Sequence, residues 1–346
     1  MPRITLRIPE VKPSPEDRPP HCPHCQNPAL QGWGKAPTKP LKDPKVSHAQ
    51  PHRYRCPSCR KTFRHYPEGV TSATQSQRTQ VLSALFWALG LPLRGVAALL
   101  AHVGVPISHT TVQRNVRALL QEVQGEMRGL RARVLGVDGF GVRVGGKPKG
   151  VLLCVEMGEG MPVAVREVEE KDPRAVAKVL RPLVKALGVE VLVSDDLGTY
   201  RTVAEDLGLS HQVCAFHLLR WAGRALSRLR SRVPEGWREV VETAWGVVRA
   251  RPPDGGKRLF LLYRQVVQGV GKRKEGPLWE LARVLLRLSE GWRRYTLDRR
   301  VSGVPSTNNR VEQAIGRVRW RVLGMRGVKT WAGLEAAVVL PQVRVV

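Results

Sequence analysis

The sequence has no apolar run long enough to span a bilayer, and its first twenty residues lack the apolar core of a signal peptide. It is also poor in acids, since 29 Asp and Glu stand against 57 Lys and Arg, a formal net charge of +28. The first absence argues against a membrane as partner, and we expect a soluble, cytoplasmic protein. The second indicates an extended polyanionic partner, for which nucleic acid is the leading candidate and the bacterial nucleoid the expected place.

Cysteine is scarce as well, but four of the six cysteines form two Cys-x-x-Cys pairs. Each pair is a tight turn that can direct two thiolates at one ion, so together they predict a tetrahedral structural Zn²⁺ site. The predicted ligands are Cys22, Cys25, Cys56 and Cys59. A complete thiolate set leaves the nearby His21, His24 and His52 as bystanders. The Pro-rich stretch 35–51 between the pairs is predicted to be an extended loop.

A helical pattern follows from residue 71 to about 124, and it ends in a short turn and a second helix. Ser108 is a candidate N-cap of that helix. A helix, a short turn and a second, capped helix are typical of a helix-turn-helix unit. The second helix of such a unit enters the major groove. Candidates for base or phosphate contact are Thr110, Thr111, Gln113 and Arg114. An ordinary helical hairpin with a capping serine is the alternative.

The central stretch changes to short apolar runs typical of strands. Three runs between 134 and 166 predict a meander, followed by a helix at 172–187 and a strand at 189–194. A helix near 200–207 and a strand at 211–216 complete the order. Parallel strands linked by helices bring their carboxyl ends together, where polar groups can converge on a ligand.

Two aspartates stand at such positions. Asp138 interrupts an apolar strand, where burial of an unpaired carboxylate costs several kcal/mol. A divalent cation would compensate it, and Asp195 at the end of the later strand can share the same ion. Asp138 also fits an Asp-Gly hairpin turn. Asp196 directly follows Asp195 and fits a helix cap, so the choice of the second ligand stays open between these neighbours.

A third acid lies late in the chain, in the segment Ser306-Thr-Asn-Asn-Arg-Val-Glu312. Thr307 or Asn308 can cap a helix that places Glu312 on its second turn and Asn309 on the same face. A solvated helix start is the alternative. Downstream is a basic cluster suited to a phosphate backbone. It comprises Arg317, Arg319, Arg321 and Arg326 around Trp320.

The order of these motifs resembles the DDE transposases of bacterial insertion sequences and their Mutator-like relatives. The resemblance runs from about residue 133 to 333 and includes Gln212-Val-Cys-Ala-Phe-His217. It implies that Asp138, Asp195 and Glu312 bind catalytic Mg²⁺ or Mn²⁺, and that Asn309 assists the last of them. It also implies that Cys214 and His217 support the active site or nearby DNA, although the pair equally fits a buried cysteine with a capping histidine.

The implied fold class is α/β, a ribonuclease H-like mixed sheet with an all-helical insertion, preceded by a four-Cys zinc ribbon and a helix-turn-helix domain. The expected parts are a flexible arm (1–20), the zinc ribbon (21–70), the helix-turn-helix domain (71–130), the first part of the core (131–217), the helical insertion (218–300), and the last core helix with a basic C-terminal segment (301–346).

The implied function is transposition, with double-stranded DNA as partner, both as the terminal repeats of the element and as its target. A homo-oligomer that holds both element ends is implied by the family alone. The alternative is a domesticated, catalytically inactive relative that regulates by binding DNA. A nuclease acting on RNA or Holliday junctions would share the fold and the metals, but two DNA-reading modules before the core make it the weaker interpretation.

Overall fold

The computed structural model describes residues 5–270, 274–324 and 327–345. They form two compact units, which we call the ribbon unit and the sheet unit. The ribbon unit takes the described residues of 2–128, 143–147 and 317–346, and the sheet unit takes those of 129–142 and 148–316. None of the described helices is both long and apolar enough to cross a membrane.

The ribbon unit begins with six short strands. They are β1 (Thr5–Leu6), β2 (Gln31–Lys35), β3 (Lys39–Pro40), β4 (His48–Ala49), β5 (His52–Arg55) and β6 (Thr62–His65). β2, β5 and β6 form an antiparallel sheet, and β3 pairs with β4. The predicted extended loop 35–51 therefore contains a small hairpin. A small apolar cluster of Val11, Leu41, Ala49 and Val70 lies beneath it.

The first residues are packed, which differs from the predicted flexible arm. Leu6 and Val11 are buried. The Lys12 N–H donates to the Glu68 carbonyl at 3.1 Å, and the Gln50 N–H donates to the Pro13 carbonyl at 2.7 Å. Composition indicated disorder because prolines and charges dominate this segment, but two apolar side chains and backbone pairing are sufficient to hold residues 5–20 against the ribbon.

Three helices follow in the ribbon unit. They are α1 (Gln77–Ala88), α2 (Leu93–His102) and α3 (His109–Glu126). The predicted cap of the last one is confirmed, because the Ser108 side chain accepts a hydrogen bond from the Thr111 N–H at 3.1 Å. One face of α3 is apolar and buried at a helical spacing. Its members include Val112, Val116, Leu119 and Val123.

The sheet unit is built on a five-stranded mixed sheet. Its elements are β7 (Val134–Val144), β8 (Lys147–Glu156), β9 (Pro162–Glu167), α4 (Pro173–Leu187), β10 (Val191–Ser194), α5 (Gly198–Asp206) and β11 (Ser210–Val213). The turn between β7 and β8, residues 143–147, is counted with the ribbon unit. The strand order is β11-β10-β7-β8-β9. β10 pairs in parallel with both β7 and β11, and β8 pairs antiparallel with β9. The meander, the helices and the crossover strands match the predicted order.

The two faces of β7 have different roles. Leu135 and Val137 belong to the apolar core that also contains residues of α4 and α5. Successive side chains of a strand point to opposite faces, so Gly136 and Asp138 lie on the other face. Gly136 makes room there, because a Cβ at this position would overlap Val311 and Asn308.

The last elements are mostly helical. They are α6 (Ala215–Arg230), α7 (Arg238–Ala250), α8 (Gly255–Gly269), α9 (Pro277–Tyr295), α10 (Asn309–Gly324), α11 (Trp331–Val339) and β12 (Arg344–Val345), which pairs with β1. α6 to α9 share one hydrophobic core. The strand predicted at 211–216 ends at Val213, because the Cys214 N–H makes the last bond to β10 and the Leu218 N–H already bonds to the Cys214 carbonyl.

Candidate active site and metal centres

Asp138 and Asp195 meet at one edge of the sheet. β7 and β10 pair in parallel with Gly136 opposite Val193, so each aspartate lies two residues beyond the same paired position. Neighbouring strands are about 4.8 Å apart, and residues two apart share a face. The register therefore brings the two carboxylates side by side, as the sequence predicted for the ends of adjacent parallel strands.

Burial and mutual repulsion make this pair unfavourable as two bare anions. Burial, together with the charges of Asp195 and Glu170, raises the pKa of Asp138 to about 7. Burial also raises the pKa of Asp195, although the Leu197 N–H opposes this by donating to its carboxylate at 3.1 Å. Such a pair needs either a shared proton or a cation.

Glu170 is a fourth acid at the site, and sequence analysis missed it. It lies in the connection between β9 and α4, and its carboxylate covers Gly139 so closely that a Cβ there would overlap it. The buried Tyr200 hydroxyl donates to Glu170 Oε1 at 2.5 Å. The only sequence signal was an acid in the connection just before the predicted cap of α4, a place where exposed acids are common.

Glu312 reaches the site from the first turn of α10, one turn earlier than predicted. Its charge contributes to the raised pKa of Asp138. The fully buried Asn308 anchors this helix start, because its Nδ2 donates to the Val137 carbonyl at 2.9 Å and its N–H donates to Cys214 Sγ at 3.3 Å. The predicted helper, Asn309, is exposed, so its neighbour Asn308 holds the position next to the strand.

Cys214 and His217 lie beside Glu312. The ligand atoms of the three residues all lie within 4.8 Å of one another, and His217 Nδ1 is 3.8 Å from Glu312 Oε1. Neither of these two buried atoms has a hydrogen-bond partner among the described residues. Thiolate, imidazole and carboxylate are ligands that Zn²⁺ accepts, whereas the aspartate pair offers only the hard oxygens that Mg²⁺ prefers.

Asp196 has a separate set of partners. Arg287 Nη2 on α9 donates to Asp196 Oδ2 at 2.5 Å, and the Tyr295 hydroxyl donates to the same oxygen at 3.3 Å. The carboxylate of Asp196 is therefore bound by α9, while that of Asp195 accepts from its own turn and lies next to Asp138.

The four predicted zinc ligands converge in the ribbon unit. Their Sγ atoms all lie within 4.8 Å of one another, with Cys22 Sγ 3.7 Å from Cys59 Sγ and Cys25 Sγ 3.5 Å from Cys56 Sγ. Zn–S bonds of about 2.3 Å in a tetrahedron place sulfurs about 3.8 Å apart, so the spacing fits Zn²⁺. Within the described residues this group contains no histidine, in line with the bystander role expected for the nearby histidines.

The predicted DNA contacts are placed unequally. On the first two turns of α3, Thr110 and Arg114 are exposed, and Thr111 and Gln113 are half-buried. On α10, Arg317 and Arg319 are exposed, but Arg321 is buried with its guanidinium 4.3 Å from the centre of the Trp87 ring. This burial is at odds with a direct phosphate contact by Arg321. Arg326 lies outside the described residues.

Comparison with known proteins agrees with the motif order. Residues 71–336 match the Transposase IS66 family, and because this is more than half of the chain, the protein belongs to that family. None of the curated proteins matches the chain. Among solved structures it is similar to the catalytic core domain of BIV integrase, with 12% identity over 55% of this chain and 99% of that chain and a TM-score of 0.21.

Family membership confirms the resemblance to transposases of insertion sequences. The four cysteines lie before the matched stretch. The relation to Mutator-like transposases stays a prediction.

Proposed function

We propose that the protein is an active DNA transposase that cuts DNA at the ends of its element and joins the freed ends to target DNA. One observation carries the proposal: Asp138 and Asp195 lie at the same level of adjacent parallel strands, and the charge of Glu312 acts on the first of them. The strand order, and a helix carrying the last acid after an all-helical insertion, support a ribonuclease H-like core.

The acidic residues fit Mg²⁺ or Mn²⁺ as ligands. Asp138, Asp195 and Glu312 offer hard oxygen atoms, and a bound cation would counter the burial that raises the pKa of both aspartates. Divalent cations held by these acids would activate the attacking hydroxyl and stabilise the leaving oxygen. Asp195 is the better second ligand than Asp196, since the latter is held by Arg287 and Tyr295.

The proposed chemistry has two steps, hydrolysis at the element end and strand transfer to target DNA. Water attacks a phosphodiester at the element end, one P–O bond forms while another breaks, and the leaving oxygen becomes a 3′-hydroxyl. That hydroxyl then attacks a phosphodiester of target DNA and displaces the target's own 3′-oxygen. Asp138, Asp195 and Glu312 would hold the cations whose positive charge offsets the negative charge of the pentavalent centre, and Glu170 fixes the edge of the pocket beside Gly139.

Recognition of the element ends is assigned to the ribbon unit. The four-thiolate ribbon presents a stable surface, and α3 presents Thr110 and Arg114 to solvent at its start, as the second helix of a helix-turn-helix unit does. Gln113 and Thr111 flank them. A homo-oligomer that brings two element ends together completes the proposal.

The main alternative is a DNA-binding regulator without catalysis. Its sheet would have no need for acids crowded enough to raise the pKa of Asp138 to about 7, because such crowding works against folding. The geometry therefore favours the enzyme. A nuclease for RNA or DNA junctions would use the same acids, and family membership favours transposition over it.

A strand-nicking assay tests the proposal. DNA carrying the ends of the element that encodes the chain is incubated with Mg²⁺ and wild type or Asp138→Ala. We expect specific nicks at the element ends from wild type and a loss of at least a thousandfold in the variant, because the metals lose a ligand. Asp206→Ala, which removes an exposed aspartate of the same unit, is the matched control and should nick normally. Nicking by both aspartate variants, or by neither variant nor wild type, would contradict catalysis at this site.

A further inference from the structure

A groove of about 710 Å³ opens in the sheet unit beside the proposed catalytic aspartates. Its wall is formed by residues 195–197 after β10, by side chains of α6 that include His217, and by one side chain of α9. The basic side chains on this wall are Arg220, Arg224, Arg228 and Arg287. An acidic pocket thus continues directly into a basic groove.

Three of these arginines form a straight stripe. Arg220, Arg224 and Arg228 are four residues apart on α6, so they share one helix face and follow one another at about 6 Å along the axis. All three are exposed. Like charges at this spacing destabilise a helix, and a ligand that neutralises them would offset that effect.

The stripe is not directly paired with the protein's own acids, although the charge of Glu280, which pairs with Arg232, interacts with that of Arg228. In the described part of the chain, none of the three arginines forms an ion pair, whereas Arg230 on the same helix pairs with Glu242 at 2.8 Å. The acids that line the groove are Asp195 and Asp196, and Asp196 is already paired with Arg287. The groove therefore presents net positive charge along its length.

The groove also has an aromatic side chain. The Arg287 guanidinium lies 4.2 Å from the centre of the Trp221 ring, which fixes both side chains in the wall. A basic stripe with a planar aromatic and guanidinium surface is the combination that binds single nucleic-acid strands, where phosphates follow the charges and bases stack. A groove of this volume is of the size that holds a ligand of a few hundred daltons, which is about one or two nucleotides.

We propose that this groove binds unpaired DNA, namely the few nucleotides that continue from the phosphodiester being cut. The inference rests on the proposed function for the identity of that strand, but the groove's preference for single strands can be measured without any cleavage. Binding there draws the strand along α6 and keeps its cut site opened next to Asp138 and Asp195. Arg220 lies nearest to the acids, and Arg228 holds the nucleotide farthest from them.

The test measures binding of the full-length protein to a fluorescein-labelled dT₁₂ strand in EDTA, at several salt concentrations. We expect Arg224→Ala/Arg228→Ala to weaken binding by about tenfold and to lower the salt slope by about 1.4, since each phosphate contact on a single strand contributes about 0.7. Binding to a blunt duplex should change by less than about twofold. Arg230→Ala, on the same helix but outside the groove, is the control and should behave as wild type.

Thermal unfolding of each variant shows that a loss of binding is not a loss of fold. Unchanged affinity and salt slope for dT₁₂ in the double variant would overturn the inference, as would an equal loss for duplex or in Arg230→Ala. Wild type that binds dT₁₂ through these arginines but never nicks DNA in Mg²⁺ would leave the groove intact and refute the proposed function instead.

Discussion

The cysteine cluster of the ribbon unit and the acids around Asp138 in the sheet unit each comprise four side chains, yet they depend on the chain in opposite ways. The cysteines come from two tight turns above an apolar cluster of only a few buried side chains. The acids come from four separate segments placed on a sheet with an extensive core of its own. The proposed Zn²⁺ would therefore contribute to the fold of the ribbon, and the proposed Mg²⁺ to the chemistry at the sheet.

Loss of one thiolate should give the largest effect. We expect Cys56→Ser to lose nearly all bound zinc, because structural zinc sites supply about 10 to 16 kcal/mol of apparent binding free energy to small folds. The ribbon should become sensitive to protease while the sheet unit stays resistant. Elemental analysis and limited proteolysis measure both. Cys154→Ala, which changes a buried cysteine of β8, should keep its zinc, and cleavage within the sheet of Cys56→Ser would refute the contrast.

Neutralising the fourth acid should give the next largest effect. In Glu170→Gln we expect the Mg²⁺ concentration for half-maximal nicking to rise about ten- to a hundredfold, as for other groups that orient metal ligands. The acid limb of the rate profile should move to lower pH, since the Glu170 charge helps to raise the pKa of Asp138. Glu169→Gln, at the exposed neighbouring position, is the control. An unchanged Mg²⁺ requirement in Glu170→Gln would remove it from the site.

The pH dependence of stability sharpens the same contrast. The pKa of Asp138 is about 7 in the folded chain and about 3.9 when unfolded, so between these values the folded state binds more protons. In EDTA the free energy of unfolding of the sheet unit should therefore fall as pH rises from about 4 to about 7, and Mg²⁺ should reverse the loss. Asp138→Asn should flatten much of this slope in denaturant titrations. A slope as steep as that of Asp206→Asn would contradict the pKa assignment.

Two adjacent asparagines give the smallest effect and the most direct comparison of sequence with structure. Asn308→Ala should destabilise the sheet unit by about 1 to 3 kcal/mol, because the Val137 carbonyl loses a buried donor. Asn309→Ala, at an exposed position, should stay within about 0.5 kcal/mol of wild type. Denaturant titration measures both, and equal values would contradict the anchoring role of Asn308.

The features that sequence analysis found are local or follow a strict period. Each of them can be recognised from a few consecutive residues. Examples are the Cys-x-x-Cys turns, the Ser108 cap and the apolar strands before Asp138 and Asp195. The chain's membership of a transposase family is likewise consistent with the order of its motifs.

The features that it missed depend on which segments meet in space. Glu170 reaches the site only because the connection after β9 folds over Gly139, and nothing in its neighbourhood of charged residues distinguishes it from an exposed loop. The sequence does not distinguish Asn308 from Asn309, but in the structure it is Asn308 that donates to the Val137 carbonyl. The packing of residues 5–20 against the ribbon could not be predicted from composition either, because composition does not indicate which residues a segment contacts.

The ion pair between Asp196 and Arg287 has one further consequence. It joins the residue next to Asp195 to a helix that lies 91 positions later in the chain. The α6–α9 segment therefore holds the chain in place at the end of β10, through the contact of Arg287 with Asp196. A deletion in this segment, even far from the acids in sequence, would break this contact and free the turn that orients Asp195. We therefore expect insertions and deletions in α6–α9 to lower the nicking rate before they lower the stability of the sheet unit.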